Sequence, residues 1–264
     1  MADTEEKASS SLESGEVRFG FEPSESGSDA YVTFEKAYWQ VWGFLGFVIM
    51  ASKAADELST RMREIRQILH DEVADTGESS VLNTFTKTLE SHYPFIRETI
   101  LIRAVDNYLT YLKDILYAIY RKRPEVLRSN EMVRIDLVLE YDDMADLLDA
   151  LAERKVSDLS YKSLADLSGY FKEKLGLALT ATKGELEHLT LLVEIRNLLV
   201  HNRGIVNSIF LSKTKSTKWK LGQHVSFNAG DKGLMFLAGL VVQLDTEACK
   251  KFDLTQVPSY LKGL

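Results

Sequence analysis

Pro94 and Pro124 bracket "FIRETILIRAVDNYLTYLKDILYAIYRKR", a long proline-free run with a regular apolar rhythm. Ile100, Ala104, Tyr108, Tyr111, Ile115 and Ile119 recur at steps of three and four residues, which is one face of a helix. A proline is tolerated in the first turn of a helix and stops one that reaches it, so these two set the ends. A helix this long with an apolar face needs other helices to cover it. Four prolines among 264 residues, and β-branched runs that stay short, extend the helical expectation to the rest of the chain. The expected fold class is all-α. At 45% hydrophobic and 27% charged, the chain is long enough for one large domain with a core of its own.

Further elements follow from periodicity and caps. Helices are expected over about 33–72, 80–91, the segment "MADLLDALAERKV" capped by Asp142 or Asp143, and 231–251. "YKSLADLSGYFKEKLG" is a further helix, with Asp158 or Ser160 as its cap and Gly176 near its end. "DTGESS" should break the first helix. "MVRIDLVLEY" (132–141) reads equally as a short strand or an extended loop, and "WKLGQHVSFN" (219–228) as a small hairpin. The run "WQVWGFLGFVIMA" (39–51) is too short to cross a bilayer and is expected as a buried helix. Residues 1–30 read as an acidic mobile tail in which "VRFGFEP" can dock as a short strand. Residues 31–264 then form a single helical domain with an N-terminal helical extension.

The formal charge of −7 is unevenly placed. Residues 1–30 hold eight acids against Lys7 and Arg18, so the remaining 234 residues carry only −1. A near-neutral body permits local nucleic-acid binding but argues against wrapping a duplex. A lone cysteine, Cys249, excludes an internal disulfide and a cysteine-based zinc site, which fits a reducing compartment. No secretory leader opens the sequence. The expectation is a cytoplasmic protein with no membrane partner.

The polar residues that raise a functional question sit in "LLVEIRNLLVHNRGIVN" (191–207). At about 100° per residue, Leu191, Leu192, Ile195, Leu198 and Leu199 form one apolar face, and Leu186, Leu189, Val193 and Val200 a second. Arg196 borders one edge of the second face; Asn197 and His201 border the other, in line with Glu194. That second face can pack on another helix of the chain or on a second subunit. Gly204 supplies a stop, so His201 falls in the last turn, where the helix dipole favours a cation. Imidazole moves protons near neutrality, guanidinium offers a fork of donors to phosphate, and an asparagine amide can orient either. These are the parts for cleaving RNA without a metal: a ribose 2′-OH attacks its neighbouring phosphate, His201 transfers a proton, and Arg196 stabilises the anionic transition state. The products would be a 2′,3′-cyclic phosphate and a 5′-OH end. Plainer roles stay open: Arg196 paired with a carboxylate elsewhere in the core, His201 and Asn202 shaping the helix end, and Glu194 answering a lysine or arginine instead of orienting His201.

"EIRNLLVHN" resembles the signature of the HEPN superfamily, an arginine followed by a polar residue and, after four to six positions, a histidine; here Arg196, Asn197 and His201. "ETILIRAVDNYLTYLKDIL" is similar to the long helix that packs beside the motif helix in that family. The resemblance covers about 85–250. It implies an α-helical bundle, a homodimer whose two motifs meet, and a ribonuclease that needs no cofactor. The implied setting is toxin–antitoxin or anti-phage defence, with an antitoxin or defence protein as a possible partner. Members without cleavage activity also exist, so a nucleic-acid- or nucleotide-binding or dimerisation module is the alternative.

The motif alone is permissive, since Arg63 and His70 satisfy the same spacing on a helix that reads as a solvated face. Downstream, "SKTKSTKWK" places Lys213, Lys215, Lys218 and Lys220 around Trp219, a set that can follow an RNA backbone and stack a base, or serve as an exposed basic loop. His70, His92, His188 and His224 show no metal-ligand spacing.

Overall fold

The computed structural model describes residues 21–69, 84–129, 132–225 and 230–263. Helix α1 runs from Asp29–Leu69, α2 from Thr84–Ser91 and α3 from Tyr93–Lys122. A 3-10 turn at Pro124–Leu127 leads to the single-turn α4 (Ile135–Val138), then α5 (Met144–Ser160) and α6 (Leu164–Tyr170). α6 continues as a π-turn over Phe171–Leu175. The motif helix is α7 (Lys183–Asn202), followed by the short α8 (Ser208–Thr214) and by α9 (Gly230–Phe252). The fold is all-α.

α3 is the axis of the bundle. Ala104, Tyr108, Tyr111, Ile115 and Ile119 are buried as the sequence stripe requires, and Leu101, Val105, Leu112, Leu116 and Tyr120 bury a second face. Helices α1, α5, α7 and α9 all pack on it. Burying one such aliphatic side chain is worth about 1.5–3 kcal/mol, so these two faces hold much of the core energy.

Caps explain most boundaries. Asp143 accepts from the backbone N–H of Asp146 at 2.9 Å and starts α5. α6 is capped by Ser163, not by Asp158 or Ser160, because α5 runs on through Ser160. Gly176, left-handed at φ 57°, ends the π-turn. α2 is capped from another helix: Asp56 of α1, itself buried, accepts from the N–H groups of Phe85 and Thr86 at 3.0 and 2.8 Å.

Several expectations change. Segment 132–141 holds the helical turn α4 instead of a strand. The end of the segment read as a mobile tail is structured: Ser26–Gly27 (β1) pairs antiparallel with Val257–Pro258 (β2), and Ser28 and Ala30 are buried. Residues 1–20 lie outside the described residues, as do His70, "DTGESS" and most of "VRFGFEP". The segment 219–225 closes a turn of its own, Gln223 N–H to Lys220 O at 3.1 Å. It pairs with the chain leaving α7, through Val206 N–H to Gln223 O at 2.9 Å and Val225 N–H to Gly204 O at 2.7 Å; residues 226–229 are outside the described residues. The apolar run 39–51 is buried on one side only. Trp39, Val41 and Trp42 pack on the core, whereas Phe44, Phe47 and Met50 face outwards. No helix among the described residues is long and apolar enough to cross a membrane.

Asp245 of α9 joins three elements. Its buried carboxylate accepts from Ser28 N–H at 2.9 Å, from the Ser28 hydroxyl, and from Tyr111 O–H at 3.3 Å. Burial and the Asp245 charge push the neighbouring Cys249 thiol up to about 12, so it stays protonated and unreactive near neutrality. Asp245→Ala leaves Ser28 and Tyr111 donors unmet and should cost about 1–3 kcal/mol in urea unfolding. In the same variant Cys249 should react measurably faster with a thiol reagent at pH 8.

A candidate active-site groove beside the motif helix

α7 is held at both ends. At its start the Thr182 hydroxyl accepts from Glu185 N–H at 3.1 Å, and Glu185 Oε2 accepts from the N–H groups of Ala181 and Thr182, a reciprocal capping box. At its end Arg203 and Gly204 turn left-handed, with φ of 50° and 74°, and Gly204 N–H returns to Leu198 O at 2.9 Å. Gly204 is required twice over: its φ favours glycine, and a Cβ there would lie 2.6 Å from His224 Nε2. Asn202 Nδ2 donates to Ile205 O and so shapes this exit.

The two apolar faces of α7 have different fates. Leu192, Ile195 and Leu198 are buried, with Leu191 and Leu199 packed at the margin. On the second face Leu189 and Val193 are also buried within the chain, while Leu186 is half-buried. Only Val200 emerges, at 44% exposure, beside exposed His201 and near exposed Ile205 and Ile209 on the chain that follows. Any contact of this face with a second copy is therefore confined to the C-terminal end of the helix.

A groove of about 530 Å³ opens between α3 and α7, lined in part by Asp106, Thr110 and Lys113 of α3 and Glu194, Arg196 and Asn197 of α7. A second recess, about 360 Å³, continues to His201, Asn202 and Asn207. Glu194, Asn197 and Lys213 line both, so the groove leads from Arg196 to His201 past Asn197. Arg196 Nη2 meets Asp106 Oδ1 at 2.6 Å, and Nη1 donates to Asn197 Oδ1 at 3.1 Å. Its Nε is buried with no hydrogen-bond partner among the described residues. Lys213 Nζ donates to Glu194 Oε1 at 2.7 Å, with the Glu194 carboxylate sheltered from solvent. Glu194 thus answers Lys213 and not His201, whose ring is exposed at the open end.

Asp106 was not singled out from sequence. With Thr110 and Lys113 it forms a polar stripe at i, i+4 and i+7 on α3, the signal that the apolar periodicity overshadowed. The basic segment divides. Lys213 reaches the groove, and Lys215, Lys218 and Lys220 are exposed. Trp219 is instead a core residue, set edge-on against Phe210 at 5.6 Å, with Lys218 Nζ 4.8 Å above its ring. Its ring is not presented to a base. Among the described residues no group of three or more His, Cys, Asp or Glu could hold a metal ion.

Compared with models of protein families, with curated proteins and with solved structures, the chain matches none.

The arrangement offers a guanidinium fixed by a carboxylate, an amide, a lysine and an exposed imidazole along one surface. Arg196 and His201 are about 140° apart around α7 and about 7.5 Å apart along it. A phosphate held by Arg196 within the groove therefore sits on a different side of the helix from its own His201. On the same helix, burial against Phe236 holds His188 below the ordinary histidine pKa of 6.5. A histidine with a depressed folded pKa contributes stability that is present above pH 6.5 and lost as pH falls through the lower folded value. His188→Phe should therefore flatten the fall in denaturation midpoint below pH 6.5, measured by urea titration at several pH values.

Proposed function

We propose that the chain is a HEPN-type endoribonuclease that cleaves RNA by 2′-OH attack, without a metal, at a site completed by a second copy. The observation that carries this reading is the Arg196–Asp106 pair, which holds the guanidinium at one end of a groove that passes Asn197 and ends at exposed His201. Arg196, oriented by Asp106, binds the scissile phosphate and stabilises the anionic transition state. Asn197 orients Arg196 through its side-chain oxygen and keeps its amide N–H groups for the substrate. A histidine moves the proton from the 2′-OH or to the leaving 5′-oxygen. Because Arg196 and His201 of one chain diverge around the helix, two copies meeting at Val200, Ile205 and Ile209 would set one copy's His201 against the other's Arg196. Lys213, Lys215, Lys218 and Lys220 provide backbone contacts along the approach. The setting that fits the resemblance is toxin–antitoxin or anti-phage defence in the cytoplasm, with the activity restrained by a partner protein.

One observation favours a second reading. Arg196 already spends its charge on Asp106, as a structural arginine would, so the helix pair can equally serve a non-catalytic binding module.

Purified protein with mixed RNA in EDTA separates the two. The ribonuclease reading expects fragments with 2′,3′-cyclic phosphate ends, lost by a factor of about 10²–10⁴ in His201→Ala, whose exposed side chain leaves the fold intact. Identical products from wild type and His201→Ala would sink it. Asp106→Asn should reduce cleavage while preserving the helical circular dichroism signal. If that variant and Arg196→Ala lose stability and no RNA is cut by any form, the pair is structural and the binding-module reading stands.

A further inference from the structure

α1 carries an apolar face that the described chain leaves uncovered. Phe44, Phe47, Met50, Leu58, Met62 and Ile65 are 67, 69, 72, 60, 50 and 55% exposed. With Ala51 and Ala54, also exposed, they form a continuous stripe over 44–65, on the side of α1 opposite the partly buried residues that face α2 and α3. The positions Phe44, Phe47, Ala51, Ala54, Leu58 and Ile65 follow alternating steps of three and four, the spacing of a helix–helix seam. Arg61 occupies the one seam position in this run that is charged, and its stem can lie along apolar surface with the guanidinium in water.

We infer that this stripe is a self-association surface, in which α1 of one copy packs antiparallel on α1 of another. The stripe is complementary to its own reverse. Its ends are bulky and its centre small, so turning it about an axis near Ala54 sets Phe44 opposite Ile65, Phe47 opposite Met62, and Ala51 opposite Leu58. Large then meets small beside the axis, and the alanines allow close approach. A contact about a two-fold axis requires this kind of self-matching. Charge agrees with the antiparallel sense. Lys53 and Glu57 stand exposed on one flank, nearly equidistant from the axis, so each Lys53 faces the other copy's Glu57. A full aromatic side chain carries roughly 150–250 Å². Six large side chains exposed by half to three-quarters approach the ~800 Å² that each partner of a standard interface buries. Residues 1–20 contain Met1, Leu12, Val17 and Phe19 as their only large apolar side chains, and 70–83 only Val73, Val81 and Leu82.

This surface is remote in sequence and in the fold from Arg196 and His201, and the inference is independent of the RNA reading. Light scattering on the full chain tests it. Phe47→Glu and Leu58→Glu, both at exposed positions, should each halve the mass of the wild-type assembly without loss of helical signal, whether or not a motif-helix contact adds further copies. Lys53→Glu should weaken association, and adding Glu57→Lys should restore it. Phe44→Cys mixed with Ile65→Cys should be joined by a short bismaleimide, whereas Phe44→Cys alone should not; Cys249 is buried and does not interfere. A wild type with the same mass as Phe47→Glu overturns the inference, as does self-linking of Phe44→Cys. A monomer that floats with anionic vesicles, and stops doing so as Phe47→Glu, assigns the stripe to lipid and overturns it equally.

Discussion

The structure depends on the need to bury α3 on more than one face. Its middle turns, from Leu101 to Tyr120, expose almost no apolar side chain. One neighbouring helix cannot do this, because a helix contact covers only a stripe of its partner. Four helices gather round it, and the loops that join them are displaced to the outside. The polar residues of α3 that escape burial are then left at the seams between its neighbours. Asp106, Thr110 and Lys113 lie in the seam with α7, which is why the groove forms there.

The seam explains how a buried-looking helix keeps a polar site. Arg196 is only 22% exposed at its side chain. A charge sheltered to that degree needs a partner, and Asp106 supplies one across the helix interface. The pair satisfies the seam and holds the guanidinium still. Glu194 and Lys213 repeat the arrangement one step further along. The groove is a row of paired charges whose lysine and arginine partners face a common opening.

Much of this was legible in the sequence wherever a local rule decides the outcome. The periodicity between Pro94 and Pro124, the Asp143 cap and the glycine stop after Asn202 are properties of neighbouring residues, and the helices follow them. What was not legible depends on distant residues. Asp56 caps a helix that begins near residue 84, and no local signal links the two. Trp219 lies in a lysine-rich segment that looks solvated, yet Phe210 of the preceding helix offers its ring an edge. The 219–225 segment, besides its own turn, finds a pairing partner in the exit of α7, where Gly204 O and the Val206 N–H and O meet it. The run 39–51 is apolar all round, which the sequence cannot distinguish from a helix buried all round.

α1 has 41 residues, so it is a rod of about 60 Å. Its first turns are clamped by the Ser28–Asp245 bonds and by Glu35, which accepts from Tyr260 N–H at 2.7 Å, and Asp56 ties its middle to α2. A rod acts as a lever about the points that hold it. A small change of angle at the clamp becomes a displacement of several ångströms at the far end, and a force applied there returns to the clamp as torque. That torque would fall on Asp245, and through Tyr111 on α3, the helix that carries Asp106. The first turns of α1 and the groove thus share α3 as a common support, although no residue of α1 lines the groove.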